Sequence, residues 1–179
     1  MLRFFVTFVA LLVVLFGLEL TPWVQEYLVA PWTNAVAAAS AGLVTLIDPG
    51  VAAIGKIIRS TANGFAVTIE AGCNGVEATI VLVAAMLAFP APWSRKFLGI
   101  AAGIVAVQGL NIVRVISLFY LGQWNLQVFE WAHLYVWQAL IMLDVLVVWL
   151  VWVRLLPRTG GPASRPGGPG GGSAAPASA

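Results

Sequence analysis

Charge is scarce in this sequence. Nine Lys or Arg and seven Asp or Glu make up 9% of its 179 residues, while 61% are hydrophobic. A soluble domain carries about 25% charged residues, and a small fold leaves much of its surface in water. A 19.0 kDa chain with a mean hydropathy of +0.96 cannot hide that much apolar surface. The shortage excludes a soluble enzyme and a disordered regulator. The single cysteine excludes a disulfide scaffold. One cysteine and one histidine also cannot form a metal site, which wants three or four ligands. A formal charge of +2 on scattered basic residues argues against nucleic acid as a partner. Neither a Gly-x-Ser-Gly nor a His-Glu-x-x-His motif occurs, which disfavours serine intramembrane proteases and zinc metalloproteases. The bilayer is the remaining solvent, and no cofactor is expected.

What is present fits that solvent. Apolar segments at about 4–20, 74–93, 97–121 and 134–153 read as four transmembrane helices. The first follows Met1-Leu2-Arg3. It reads as a retained anchor, because Leu18-Glu19-Leu20-Thr21-Pro22 is a poor small-x-small cleavage site. A fifth segment, 33–47, is Ala-rich and short. It reads as a re-entrant or interfacial helix within an outer-face stretch 21–73. Basic residues favour this arrangement. Four spans with a cytoplasmic N-terminus put Arg3, Arg95, Lys96, Arg154, Arg158 and Arg165 inside, against Lys56 and Arg59 outside. Counting 33–47 as a span leaves only Arg3, Lys56 and Arg59 inside. The expected fold is therefore an all-α polytopic membrane protein with both termini cytoplasmic.

A small β-hairpin should interrupt the helices on the outer face. Ile54–Thr61 and Phe65–Glu70 flank Asn63-Gly64, a dipeptide suited to a two-residue turn because both positions tolerate positive φ. The membrane domain occupies 1–156. The Gly, Pro, Ser and Ala-rich tail 157–179 should be disordered and cytoplasmic.

Polar residues within apolar spans are costly and therefore informative. They are Glu77, Gln108, Asn111, Arg114, Gln138 and Asp144, with Cys73 and His133 at span ends. In the four-span arrangement Cys73 and His133 each begin a span at the outer face, and Arg114 lies roughly 10 Å below it. Cys73 sits between Gly72 and Gly75, where a tight turn leads into a helix. It reads either as a small apolar filler or as a thiolate favoured by a helix N-terminus. His133 reads either as one more member of the aromatic belt of Trp131, Tyr135 and Trp137 or as the proton carrier of a cysteine nucleophile. Arg114 either snorkels to the surface or serves a developing oxyanion or a carboxylate. Glu77 and Asp144 are the candidate carboxylates to balance it. Gln108 and Gln138 should make interhelical hydrogen bonds. Trp23, Trp32, Trp93, Trp124 and Trp131 fall where interfacial anchors are expected.

These residues carry a family resemblance over roughly 60–153. Cys73-Asn74-Gly75 is similar to the Cys-(Ser/Ala)-Gly of the exosortase/archaeosortase family. Asn111-x-x-Arg114 and then His133, opening the last span, follow in the family's order. The wording from Glu70 through Cys73 to Ala78, from Asn111 to Phe119, and from Phe129 to Gln138 looks most like the exosortase H subgroup. Asn74 and Trp137 depart from the broader pattern, where Ser or Ala and Gly are commoner.

The resemblance implies a bacterial inner-membrane cysteine transpeptidase with its site on the extracytoplasmic side. Cys73 would be the nucleophile, Arg114 the transition-state stabiliser and His133 the proton carrier. Glu70, Asn74, Glu77, Asn111 and Asp144 would support them. The implied partners are the lipid bilayer, an acceptor molecule and exported proteins with a C-terminal sorting tail of Ile-Pro-Thr-Leu type. Two alternatives stay open at this level. One is a membrane cysteine protease that only hydrolyses. The other is a non-enzymatic assembly or transporter subunit, in which Arg114 and Asp144 would form a structural pair.

Overall fold

The computed structural model describes residues 2–157. The expected disordered tail therefore lies outside the described residues from Arg158 onward. The chain is mostly helical, with one small sheet.

Helix α1 spans Leu2–Glu19. Helix α2 runs Pro22–Val44 as one body of 23 residues, with a π-helical turn at Gln25–Val29. Three strands follow, β1 Val51–Ile54, β2 Ile57–Ser60 and β3 Ala66–Thr68. Helix α3 spans Val76–Ala88 and α4 spans Trp93–Trp124. Helix α5 runs Leu126–Leu155, with a second π-helical turn at Ala132–Val136.

Four helices are long and apolar enough to cross a membrane: α1, α2, α4 and α5. The all-α polytopic reading stands, but the set of four differs from expectation. The segment at 74–93 yields only the 13 residues of α3, about 20 Å of helix against a hydrocarbon core of about 30 Å. Pro90 and Pro92 stop it early, since proline lacks the N–H that a helix interior needs. Conversely, 33–47 is not a separate short helix. Its helical part is the second half of α2, and 45–47 continue as turns.

Two apolar clusters organise the packing. One joins α3, α4 and α5 through Leu82, Met86, Val107, Ile141, Val145 and Trp152. Here Gly99 admits a neighbour, because a Cβ at Gly99 would collide with the Trp152 indole. That indole donates to the Arg95 carbonyl at 3.1 Å. Helix α1 packs along α3, and Phe4 meets Phe89 and Trp149. The starts of α1 and α4 and the end of α5 therefore share one end of the bundle, with Arg3, Arg95, Lys96 and Arg154.

The second cluster lies at the other end. Val36, Ala37, Ala41 and Val44 of α2 pack with Ile58 and Ile69 near the sheet, and with Val115 and Phe119 in the C-terminal half of α4. The sheet order is β1-β2-β3, antiparallel throughout. The expected hairpin is β2–β3, with Ile58 opposite Val67. Its turn differs from expectation: Gly64 alone takes positive φ, at 75°, and Asn63 does not. Asn63 Oδ1 instead accepts from the Phe65 N–H at 3.0 Å. Strand β1 was not anticipated. It pairs through Gly55-Lys56, where Gly55 has φ 59°.

Candidate active site

The site forms where the two clusters meet. Strand β3 runs into Ile69 and Glu70, and the chain then turns through Ala71–Gly75 before α3 begins. Gly72 and Gly75 hold φ of 81° and 75° in that turn, a left-handed geometry that suits glycine. Gly75 is also crowded, since a Cβ there would lie 2.8 Å from both amide atoms of Gln108. Gln108 Nε2 donates to the Gly75 carbonyl at 3.1 Å and to Thr79 Oγ1 at 3.2 Å. This is the interhelical bonding expected of Gln108. Gln138 is exposed and makes no such bond.

Cys73 lies at the crest of the turn, half-buried. Its sulfur is 3.9 Å from Nδ1 and 3.9 Å from Nε2 of His133. Arg114 approaches from α4, with one terminal nitrogen 3.6 Å from the sulfur and the other donating to the Gly72 carbonyl at 3.1 Å. Arg114 as a whole is 2% exposed, so it does not snorkel. His133 sits in the π-helical turn of α5 and stacks on Phe129, with centroids 5.7 Å apart and planes 3° from parallel. A π turn inserts one residue into the helix, which rotates the following face by about 100°. His133 and Ile141, eight residues apart, would diverge by about 80° on a regular α-helix; the inserted residue brings them to within about 20°, so His133 points inward on the same face as buried Ile141. A cavity of about 110 Å³ opens at these three side chains, lined also by Val67, Thr68 and Phe129.

Two expectations about electrostatics change. Neither Glu77 nor Asp144 pairs with Arg114. Among the described residues the one ion pair is Lys56–Glu70, at 2.7 Å. Glu77 instead accepts from the Gly72 N–H at 2.6 Å. Asp144 lies eleven residues beyond His133, about 16 Å along the helix, and its Oδ2 is buried without a partner. The cysteine is also not a ready thiolate. Burial pushes its pKa up from 9.0, Arg114 pulls it down, and Glu77 and Glu70 push it up. The helix offers little relief, because Gly75 is the N-cap and Cys73 stands two residues outside it, where the dipole fades.

The other supporting residues hold the turn. Asn74 is 2% exposed. Its Oδ1 accepts from the Val76 N–H at 3.0 Å, and its Nδ2 donates to Thr33 Oγ1 at 3.1 Å. Trp32 donates to the Asn74 carbonyl at 3.3 Å, a more specific task than interfacial anchoring. The Glu70 carbonyl accepts from the Cys73 N–H at 3.0 Å. Asn111, one turn before Arg114, is fully buried and neither amide atom has a partner. Sequence reasoning missed Thr33, Trp32 and Phe129 as neighbours of the site. Only their placement in space reveals them.

A larger apolar cavity of about 680 Å³ lies beside the turn, lined by Leu18, Glu19, Trp32, Val76 and Gln108. None of Cys73, Arg114 and His133 lines it. The smaller cavity is the one that Cys73, Arg114 and His133 share. Among the described residues no group of three or more His, Cys, Asp and Glu could hold a metal ion. No curated protein and no solved structure matches the chain. Residues 2–151 match the transmembrane exosortase family. That match takes in all three side chains at the small cavity and most of the chain, which belongs to the transmembrane exosortase (Exosortase_EpsH) family of multi-pass membrane proteins.

Proposed function

We propose that this protein is a membrane cysteine transpeptidase that cleaves the C-terminal sorting tail of exported proteins near the outer face of the bacterial inner membrane. The observation that carries the reading is the convergence on one sulfur of His133 at 3.9 Å and Arg114 at 3.6 Å. The three groups come from separate elements, and each is of the type that thiol acyl transfer needs.

The buried thiol is protonated at rest, so His133 first takes its proton. The sulfur then attacks the substrate carbonyl and forms a C–S bond. Arg114 stabilises the oxyanion. The C–N bond breaks as His133 returns the proton to the leaving amine, which leaves a thioester on Cys73. An acceptor nucleophile or water then attacks the thioester, giving transfer or hydrolysis. The 3.9 Å contacts are long for proton transfer, as is common before substrate closes a site. In this reading α3 with the segment up to Pro92 makes the second crossing and α2 stays on the outer side, so Arg3, Arg95, Lys96 and Arg154 mark the cytoplasmic end and the sheet lies outside. The non-enzymatic alternative required an Arg114–Asp144 pair, and Arg114 bonds elsewhere.

The test co-expresses the full chain with a tagged reporter. The reporter ends in an Ile-Pro-Thr-Leu motif, an apolar stretch and basic residues. Tail removal is expected with wild type and lost with Cys73→Ala at equal expression. Equal processing by both would sink the mechanism. Mass analysis of the new C-terminus separates transfer from hydrolysis.

A further inference from the structure

The cavity at Cys73 is small, and one of its walls is a strand. About 110 Å³ is well below the roughly 300–1,000 Å³ of pockets that enclose a whole ligand. It has room for little beyond a reacting carbonyl and a neighbouring side chain. The rest of a substrate must be recognised outside it. The adjoining surface is β3, whose continuation Val67–Glu70 lines the cavity beside Cys73, Arg114 and His133.

Strand β3 is an edge. The sheet ends with it, and only β2 pairs with it. The register fixes which backbone groups are used. Ser60 N–H donates to the Phe65 carbonyl at 2.8 Å, and Ile69 N–H donates to the Lys56 carbonyl at 2.9 Å. Residues 65, 67 and 69 therefore face β2. By the alternation of an antiparallel ladder, Ala66 and Thr68 turn their N–H and C=O groups outward. Both residues are exposed. Proteins normally blunt such an edge with proline, lysine or a covering element. The opposite edge, β1, packs against α2. Ala66-Val67-Thr68 is short but carries neither proline nor lysine.

We propose that the substrate tail binds in extended form along this open edge as a fourth strand. It exchanges main-chain hydrogen bonds with Thr68 and Ala66 and so presents its scissile carbonyl to Cys73. An edge of alternating donors and acceptors complements an extended peptide and no other common ligand. Strand addition gives affinity through the backbone. It leaves sequence selection to the one side chain that enters the small cavity. This docking mode rests on the peptide-cleaving reading above and adds the surface that aligns the chain.

The experiment compares Thr68→Pro with Thr68→Val in the full-length protein, using the same tagged reporter. Proline removes the outward N–H, and at an edge it spares the ladder to β2. Valine keeps the N–H and removes only the hydroxyl. Thr68→Pro is expected to slow tail removal roughly tenfold, the scale of one or two lost hydrogen bonds. Thr68→Val should lose several-fold less than Thr68→Pro, because it keeps the N–H. Alkylation of Cys73 by iodoacetamide should be the same in all three, which reports an intact site. A second arm keeps the protein wild type in phospholipid vesicles. It replaces successive backbone amides of a synthetic tail of the reporter's sequence by esters, and losses should recur at every second position. Cys73-dependent processing that ignores Thr68→Pro and shows no alternation along the tail would overturn the docking mode alone. Equal losses in Thr68→Pro and Thr68→Val without alternation would overturn it too. Processing that persists in Cys73→Ala would overturn the underlying chemistry and the docking mode with it.

Discussion

The interior of the bundle and the junction above it are built by different rules. Between α3, α4 and α5 the contacts are mostly apolar, and Leu82, Met86 and Val107 are fully buried. Helices α3 and α5 contribute no buried polar residue. At the junction most of the buried polar residues gather: Thr33 and Ser40 on α2, Asn74 in the turn that carries Cys73, and Gln108, Asn111 and Arg114 on one stretch of α4; Lys96, at the far end of α4, is the exception and donates to the Leu87 carbonyl. The apolar interior needs only shape and volume, and many side chains can meet that need. The junction is held by directional bonds that fix Cys73 against α2 and α4. Stability should depend mainly on the first region and chemistry on the second.

The largest test of that division is Arg114→Lys. Lysine keeps the charge but not the fork that reaches both the Gly72 carbonyl and the sulfur. Tail removal is expected to fall about 10²–10³-fold, as for loss of a transition-state donor, with the melting temperature in detergent changed little. Next comes Leu82→Ala in the bundle. It should cost about 2–5 kcal/mol of stability, measured by denaturant unfolding, yet leave processing per folded molecule near wild type. If Leu82→Ala lowered activity per folded molecule as far as Arg114→Lys, the two regions would not be separable.

The reactive trio was legible because each member is a chemically unusual residue beside or within an apolar segment, and lipid makes such residues conspicuous. The element lengths were less legible. Helix α2 is not legible as one body, because Gln25, Glu26 and Pro31 interrupt the apolar pattern before the Ala-rich segment. In the structure a π-helical turn directly precedes Pro31, where the missing N–H and the ring would otherwise break an α-helical ladder. Strand β1 was missed because Val51-Ala52-Ala53-Ile54 has no alternation of apolar and polar residues to announce a strand. The partner of Arg114 was misjudged for a more general reason. A buried cation in lipid invites a search for a carboxylate, but here its two terminal nitrogens meet a carbonyl and a sulfur, and Nε has no partner. Helical spacing put Glu77 on the face of Cys73, yet its carboxylate turns back to the Gly72 N–H.

The smallest effect sharpens the comparison most, because it separates charge from packing at the junction. Burial and the carboxylates of Glu77 and Glu70 raise the Cys73 pKa, while Arg114 lowers it. Glu77→Gln keeps an oxygen for the Gly72 N–H but removes a negative charge that disfavours the thiolate. The sign follows directly: the Cys73 pKa should fall, and iodoacetamide alkylation should reach its plateau at lower pH than in wild type. Arg114→Met removes the lowering influence and should move the profile to higher pH. Asp144→Asn, about 16 Å along α5 from His133, should leave it in place. The chain has a single cysteine, so the alkylation signal needs no assignment. The Glu77 shift should be the smaller of the two, because Arg114 touches the sulfur and Glu77 reaches it only across the turn. A Glu77→Gln profile that stayed at the wild-type position, with Arg114→Met displaced, would mean that Glu77 only braces the turn through Gly72. A profile moved by Asp144→Asn would mean that the bundle and the junction are electrostatically one region.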